Sequence, residues 1–346
     1  MLTVSLYTLG SPDQLTGGYL YHRRLADLAP RYGAHLELVS LPNLPFPLPA
    51  AAGQARLRRG QPYDVAVVDS IAAAFLAPWP MTGPIAAILH QPPGGIDHGP
   101  GRRWMQAVLD RLLYRRCDAL IVASEALATS VPGRHCIVVP PGSDVAVPPD
   151  GVPPELRHGR RVAFLNVGNW MARKGTLELL DGFSRLPADR ATLHLVGRTD
   201  VERRYGARVA ARLGEPDLAG RVVVHGSLTR EQVAAMYAGS DVFVLPSYRE
   251  PYGTVYGEAL AAGLPVVGWR AGNLPNLAVH EREAVIVEPG DVAALAAALD
   301  RLATDDPYRK RLARAAGDRG RRLPTWDDTA ARFFTVMKDL AAGTAR

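Results

Sequence analysis

Twelve short runs of β-branched and apolar residues recur along the chain, most of them followed by a stretch with helical spacing, and this alternation restricts the fold more than any other feature. Strands that alternate with helices form parallel sheets covered on both faces, because a parallel crossover needs a returning segment long enough to be a helix. In the first half the runs are LTVSLYTLG (2–10), HLELVSL (35–41), DVAVVDS (64–70), PIAAILHQ (84–91), ALIVASE (119–125) and CIVVPPG (136–142). The second half restarts with VAFLNVG (162–168), TLHLVG (192–197), RVVVHGS (221–227), DVFVLPS (241–247), LPVVGWR (264–270) and AVIVEP (284–289). Between the halves lies SDVAVPPDGVPPELRHG, dense in Pro and Gly and without periodicity, which reads as a linker.

At 346 residues the chain exceeds one ordinary core and suits two domains of about 150 residues each. The expected organisation is an α/β protein of two Rossmann-like doubly wound domains, 1–145 and 161–324, joined by a linker at 146–160. A last helix, 325–346, is capped by Thr325 with Asp328; it either stays on the second domain or crosses back to the first. Doubly wound sheets bind ligands outside the carboxyl ends of their strands, so a cleft faced by both sets of strand ends is the expected active site.

Apolar residues at 47% and charged residues at 21% exclude a disordered chain. The first strand begins almost at Met1, so no export signal is expected, and the longest apolar runs fall short of the roughly 20 residues of a membrane span. Cys117 and Cys136 are too few for a disulfide framework or a zinc cluster, which fits the cytoplasm. The net charge of +6 concentrates at Arg56, Arg58 and Arg59, then at Arg102, Arg103, Arg111, Arg115 and Arg116 along an amphipathic helix. A solvated Arg-rich face is the favoured reading, peripheral contact with an anionic membrane the second, and nucleic acid ranks below both for want of aromatic interleaving or a known module.

Two stretches carry chemistry. In DVFVLPSYREPYGTVYGEALAAGLPVV, Pro251 disfavours helix at Glu250 and Gly253 permits a sharp turn, so a helix is expected to start near Thr254. Glu250 and Glu258 then bracket a helix N-terminus whose free N–H groups at Gly253, Thr254 and Val255 suit an anion, while the carboxylates suit sugar hydroxyls. In VAFLNVGNWMARKGTLELLDGF, Arg173 and Lys174 stand at a helix entrance, where local electrostatics favours negative groups; a bound anion explains them better.

The order and wording of these stretches resemble the retaining glycosyltransferases of family 4, which have the GT-B fold. The resemblance spans nearly the whole chain: Gly17 and Gly18, CDALIVASE, VPPGSDV, GNWMARKG, HLVGR, VHGSL and above all VLPSYREPYGTVYGEALAAGLPVV. It implies hexosyl or N-acetylhexosaminyl transfer from a nucleotide diphosphate donor to a small-molecule or lipid-linked acceptor; the residues leave the base open, and UDP is the expectation. Lys174 would bind the diphosphate, Glu258 the ribose, and Glu250 the transferred sugar near its reacting carbon. The amides after Glu250 would stabilise the leaving phosphate, and Gly18 would let the first loop approach it. His90, at the end of PIAAILHQ, would face the sugar, and Tyr252 and Arg198 join the donor site. Two departures stand out. Asn169 replaces an arginine on the diphosphate, worth about 1 to 3 kcal/mol unless Arg173 compensates. AGNLPN (271–276) has Asn273 and Asn276 where related chains often show paired glycines and a glutamate, which bears on donor preference.

A glycosyl transition state resembles an oxocarbenium ion, and the departing diphosphate needs its charge neutralised. No Asp-x-Asp stands at a strand end, so Lys174, Arg173 and helix N-termini are expected to act without a metal or other cofactor. The resemblance further implies a same-face reaction in which the donor phosphate accepts the acceptor's proton and Glu250 is no covalent nucleophile. Three rival readings are another GT-B chemistry, such as epimerisation, a silent nucleotide-sugar binder, and a nicotinamide dehydrogenase. The last lacks a G-x-G-x-x-G after its first strand.

Overall fold

The computed structural model describes residues 1–10, 17–42, 62–143 and 153–344. Arg56, Arg58, Arg59, residues 11–16 and residues 146–152 of the expected linker lie outside them. The chain divides into two compact units, Met1–Gly142 with Pro324–Arg346, and Ser143–Leu323.

The first unit is built on β1 (Leu2–Leu9), β2 (Ala34–Leu41), β3 (Val65–Asp69), β4 (Ile85–Leu89), β5 (Ala119–Val122) and β6 (Cys136–Val138). They form one parallel sheet in the order β2-β1-β3-β4-β5-β6. β3, β4 and β5 are buried at every position, as near-continuous apolar strands in a doubly covered sheet must be. Helix α1 (Gly17–Leu28) returns the chain from β1 to β2, and α2 (Pro100–Arg116) from β4 to β5.

The second unit repeats the plan with β7 (Val162–Val167), β8 (Ala191–Val196), β9 (Val222–Gly226), β10 (Val242–Val244), β11 (Val266–Trp269) and β12 (Ala284–Val287), in the order β12-β11-β10-β7-β8-β9. Its helices are α3 (Thr176–Ser184), α4 (Arg203–Leu213), α5 (Arg230–Gly239), α6 (Thr254–Ala261), α7 (Val292–Thr304) and α8 (Asp306–Gly320). Thr229 and Gln232 close the expected capping box on α5.

All twelve expected strands are present, several shorter than the apolar runs. β5 stops at Val122, and the buried Ser124 beyond it caps a helical turn, accepting from Leu127 N at 3.2 Å. β10 stops at Val244, two residues before Pro246, which has no N–H for the ladder. β6 likewise ends ahead of Pro140 and Pro141.

The last helix, α9 (Trp326–Ala341), belongs to the first unit. Thr325 and Asp328 cap it as the sequence requires, and Trp326, Phe333, Phe334 and Met337 enter the core beneath β1 and β3. Thr329 Oγ1 donates to Pro140 O at 2.8 Å, and a Cβ on Gly142 would sit 2.3 Å from Trp326 N, so only glycine lets strand exit and helix start pass. Phe333 is fully buried, and Phe333→Ala should cost about 3–5 kcal/mol. Urea unfolding followed by hydrogen exchange should place that loss in the first unit and leave the protection of β7 and β8 unchanged.

Candidate functional site

In a doubly wound sheet the strand order reverses at one point, and the loops leaving the two strands there diverge to leave a crevice at their carboxyl ends. In the second sheet that point lies between β7 and β10. The loops concerned are 168–175 and 245–253, the two stretches that carry charge in the sequence. They are tied together: Tyr248 N donates to Arg173 O at 2.8 Å and Ser247 Oγ to the same oxygen at 3.0 Å. Gly175 makes the approach feasible. It has φ +69°, and a Cβ there would lie 2.1 Å from Pro246 O.

Lys174 Nζ donates to Glu250 Oε2, and Arg173 Nη1 stands 3.6 Å from the same carboxylate oxygen while donating to Arg249 O at 3.0 Å. The side chains of Arg173, Lys174 and Glu250 are only 19%, 11% and 14% exposed. Two partly buried cations therefore meet at one carboxylate beside a helix start, a grouping of donors and positive charge that suits an anion. Beside them α6 begins at Thr254, with Gly253 as its N-cap in the left-handed region (φ +81°) and no side chain capping it. Its first N–H groups point past the helix end, where an anion is the natural acceptor.

Glu250 lies on the loop, outside α6, as Pro251 dictates, and its backbone is fixed from a third segment. Asn273 N donates to Glu250 O at 3.0 Å and Asn273 Nδ2 to Tyr252 O at 3.0 Å. A Cβ on Gly272 would fall 2.5 Å from Glu250 O. The AGNLPN departure thus carries a buried asparagine that holds the Glu250–Tyr252 turn. Glu258 lies on α6 and accepts from the buried Tyr237 OH of α5 at 3.0 Å. Burial, then the Glu258 carboxylate, holds the Tyr237 phenol well above its usual range, so it is a donor at any ordinary pH. Asn169 Oδ1 accepts from Arg198 N at 3.0 Å and so braces the loop after β8; the Arg198 guanidinium pairs with Asp200 at 3.1 Å in solvent.

Sequence reasoning missed Ser247, Gly272, Asn273 as a brace, and Tyr237. Tyr237 in AAMYAGS has the spacing of an ordinary core aromatic, and only the packing of α5 on α6 reveals its partner. A glycine followed by a buried-type amide after a strand was the one available signal for Gly272 and Asn273.

In the first unit the reversal lies between β1 and β3. Asp69 ends β3, His90 follows β4, and α1, which starts at Gly17, brings His22 to them. His22 Nε2 is 3.1 Å from His90 Nε2 and 3.6 Å from Asp69 Oδ2. Thr8 and Ser70 hydroxyls donate to the Asp69 carboxylate at 3.1 Å each, and Ser70 Oγ accepts from His90 N at 3.2 Å. His22 Nδ1 is buried without a hydrogen-bond partner, so the proton shared by the imidazoles is assigned to His22 Nε2, and His90 then carries its own on Nδ1. A Cβ on Gly18 would rest 3.5 Å from His90 Cδ2, so the glycine leaves the imidazole edge open. Among the described residues His22, Asp69 and His90 are the grouping with the donor set of a metal site, their ligand atoms lying within 4.8 Å of one another. The hydrogen bonds above account for that arrangement, and His22 Nδ1 lacks the second partner that a metal-bound imidazole generally has.

The architecture of two six-stranded Rossmann-like units defines a GT-B fold protein. It is similar to sucrose-phosphate synthase from Thermosynechococcus elongatus, with a TM-score of 0.83 and 20% identity over 99% of this chain and 100% of that one. It is also similar to Anabaena Alr3699/HepE in complex with UDP and glucose, with a TM-score of 0.78 and 18% identity over 98% and 100%. A family model for glycosyl transferases group 1 matches residues 161–305, most of the second unit. Over those residues the chain is similar to the glycosyl transferases of that group. A D-inositol 3-phosphate glycosyltransferase of Xylanimonas cellulosilytica is 33% identical over 58% of this chain and 50% of its own length. An MMP alpha-(1->4)-mannosyltransferase of Mycolicibacterium hassiacum is 31% identical over 70% and 60%. The chain thus spans about half to three-fifths of the length of these curated relatives.

Burial pushes His22 down to about 4, against the pull of Asp69 and with help from His90. The unfolded chain protonates this side chain near pH 6.5, whereas the folded unit resists until about 4, so stability falls as pH drops through that window. His22→Gln should flatten this part of the profile: between pH 7 and 4.5 the wild type should lose more unfolding free energy than the variant. Equal losses would mean that His22 is not buried as the neutral imidazole.

Proposed function

We propose that this protein transfers a hexosyl group from a nucleoside diphosphate sugar to a hydroxyl acceptor, with retention of configuration. The observation that carries this reading is the meeting of Lys174 and Glu250, from two different loops, at the strand-order reversal of the second sheet and beside an uncapped helix start. Lys174 and Arg173 hold the donor diphosphate, and the N–H groups at Gly253, Thr254 and Val255 receive the charge that develops on the leaving phosphate. Glu258, oriented by Tyr237, takes the ribose hydroxyls. Glu250, with Tyr252 behind it, faces the sugar near the carbon that reacts. Asn169 sets the loop on which the diphosphate rests, and Arg198 lies at its margin.

In the first unit His90 is the polar group for a sugar hydroxyl, donating from Nδ1 because His22 occupies its Nε2. Gly17 and Gly18 keep the start of α1 free of side chains beside it. Two cations and a helix N-terminus supply the positive charge the leaving group needs, so the reaction calls for no metal. UDP is the favoured donor nucleotide; it is the nucleotide named with the Anabaena protein of the same fold. The acceptor is a small polar molecule or a lipid-linked sugar.

Glu258→Ala should weaken UDP binding by roughly 10- to 100-fold in calorimetry, the worth of hydrogen bonds to one carboxylate. Glu250→Ala should leave UDP affinity within about threefold and reduce kcat about 100-fold, as expected for a contact made in the transition state. Unchanged UDP affinity in the first variant removes Glu258 from the nucleotide site. Turnover of a nucleotide sugar should also survive an excess of EDTA. Tight UDP binding without transfer or hydrolysis of any donor would instead mark a silent binder.

A further inference from the structure

Helix α2 carries a surface that the core does not use. Its inward side, with Ala107, Leu113 and Tyr114, is buried. Its outward side exposes Trp104 at 72%, Met105 at 42%, Val108 at 40% and Leu112 at 46%. These are four of the eight large apolar side chains exposed among the described residues, so the exposure is concentrated rather than scattered. Trp104, Val108 and Leu112 follow one another at steps of four and run about 12 Å along one side of the helix. Arg111 and Arg115, seven and eleven residues beyond Trp104, border and interleave with the same stripe, and both are exposed. The one acid of the helix, Asp110, faces inward at 1% exposure and accepts from Gly94 N at 2.8 Å. The outward face is therefore apolar and cationic, and the single carboxylate of the helix, on which Arg111 acts, is turned to the core.

A second copy of the chain is a poor occupant. A two-fold contact would set this face against itself and bring Arg111 and Arg115 near their own counterparts. An anionic bilayer satisfies both halves of the chemistry: aliphatic side chains enter the acyl boundary, the Trp104 indole sits at the headgroup level, and guanidinium groups meet lipid phosphates. We propose that the outward face of α2 docks the protein on an anionic phospholipid bilayer, with the helix lying in the interface plane. No described helix is long and apolar enough to cross a membrane. The docking stands on exposure and charge alone and is independent of the transfer reaction.

The test is cosedimentation of the full chain with vesicles of mixed phosphatidylglycerol and phosphatidylcholine, against vesicles of phosphatidylcholine alone. The wild type should partition onto the anionic vesicles and be released as salt rises. Arg111→Gln with Arg115→Gln should weaken partitioning about 30-fold, at about fivefold per charge. Trp104→Ser with Leu112→Ser should weaken it at least about tenfold, and circular dichroism should show both surface variants folded. Three outcomes overturn the proposal. One is equal or absent binding to the two vesicle types, or binding that neither pair of substitutions changes. Another is a concentration-dependent dimer lost in the Trp104→Ser chain, which would make the face an interface between copies. The last is an indole shielded from acrylamide in vesicle-free protein, judged against Trp104→Phe, which would mean that the chain covers its own helix.

Discussion

The close approach of two loops at the reversal of the second sheet is the constraint from which the candidate site follows. Gly175 lets the loop after β7 lie against Pro246 O, and Ser247 and Tyr248 then lock onto Arg173 O. With the backbones fixed in this way, Lys174 and Arg173 have little choice of direction. Glu250 contacts both, which keeps two cations aimed at one place without a search through rotamers. Such preorganisation is what an electrostatic site needs, since charges already in position require no rearrangement when a reaction moves charge toward them.

The two sheets use the same topological rule for different chemistry. In the second unit the reversal gathers cations and an open helix start. In the first it gathers two imidazoles and a carboxylate, of which His22 and Asp69 are buried and His90 is partly exposed. Burial keeps His22 and His90 neutral, the nearby Asp69 notwithstanding. A neutral pair with one shared proton offers a defined donor at His90, whereas an ionised one would place a positive charge there. The first unit thus presents hydrogen bonds where the second presents charge.

Much of this was legible in the sequence because the relevant signals are local. Strand and helix alternate with periods that residue spacing reveals, and a proline after Glu250 with a glycine before Thr254 is enough to start α6 where it does start. What the sequence did not disclose depends on contacts between distant segments. Tyr237 is 21 residues from Glu258, His22 lies 68 from His90, and Asn273 reaches back to Glu250 from beyond the next strand. Each has the composition of an ordinary interior or loop residue until the sheets bring it to its partner. The Arg-rich helix was legible as amphipathic, but which of its apolar residues face inward was not, because both sides of α2 carry them.

The capture of α9 by the first unit has a consequence for how the chain comes into being. The second unit is one uninterrupted segment, so it holds everything it needs once Leu323 has left the ribosome. The first unit, although it is made first, lacks Trp326, Phe333 and Phe334 until the segment that carries them emerges. Its sheet must wait, with an apolar surface open, through the synthesis of the whole neighbouring unit, which inverts the usual order in which amino-terminal domains mature ahead of those that follow.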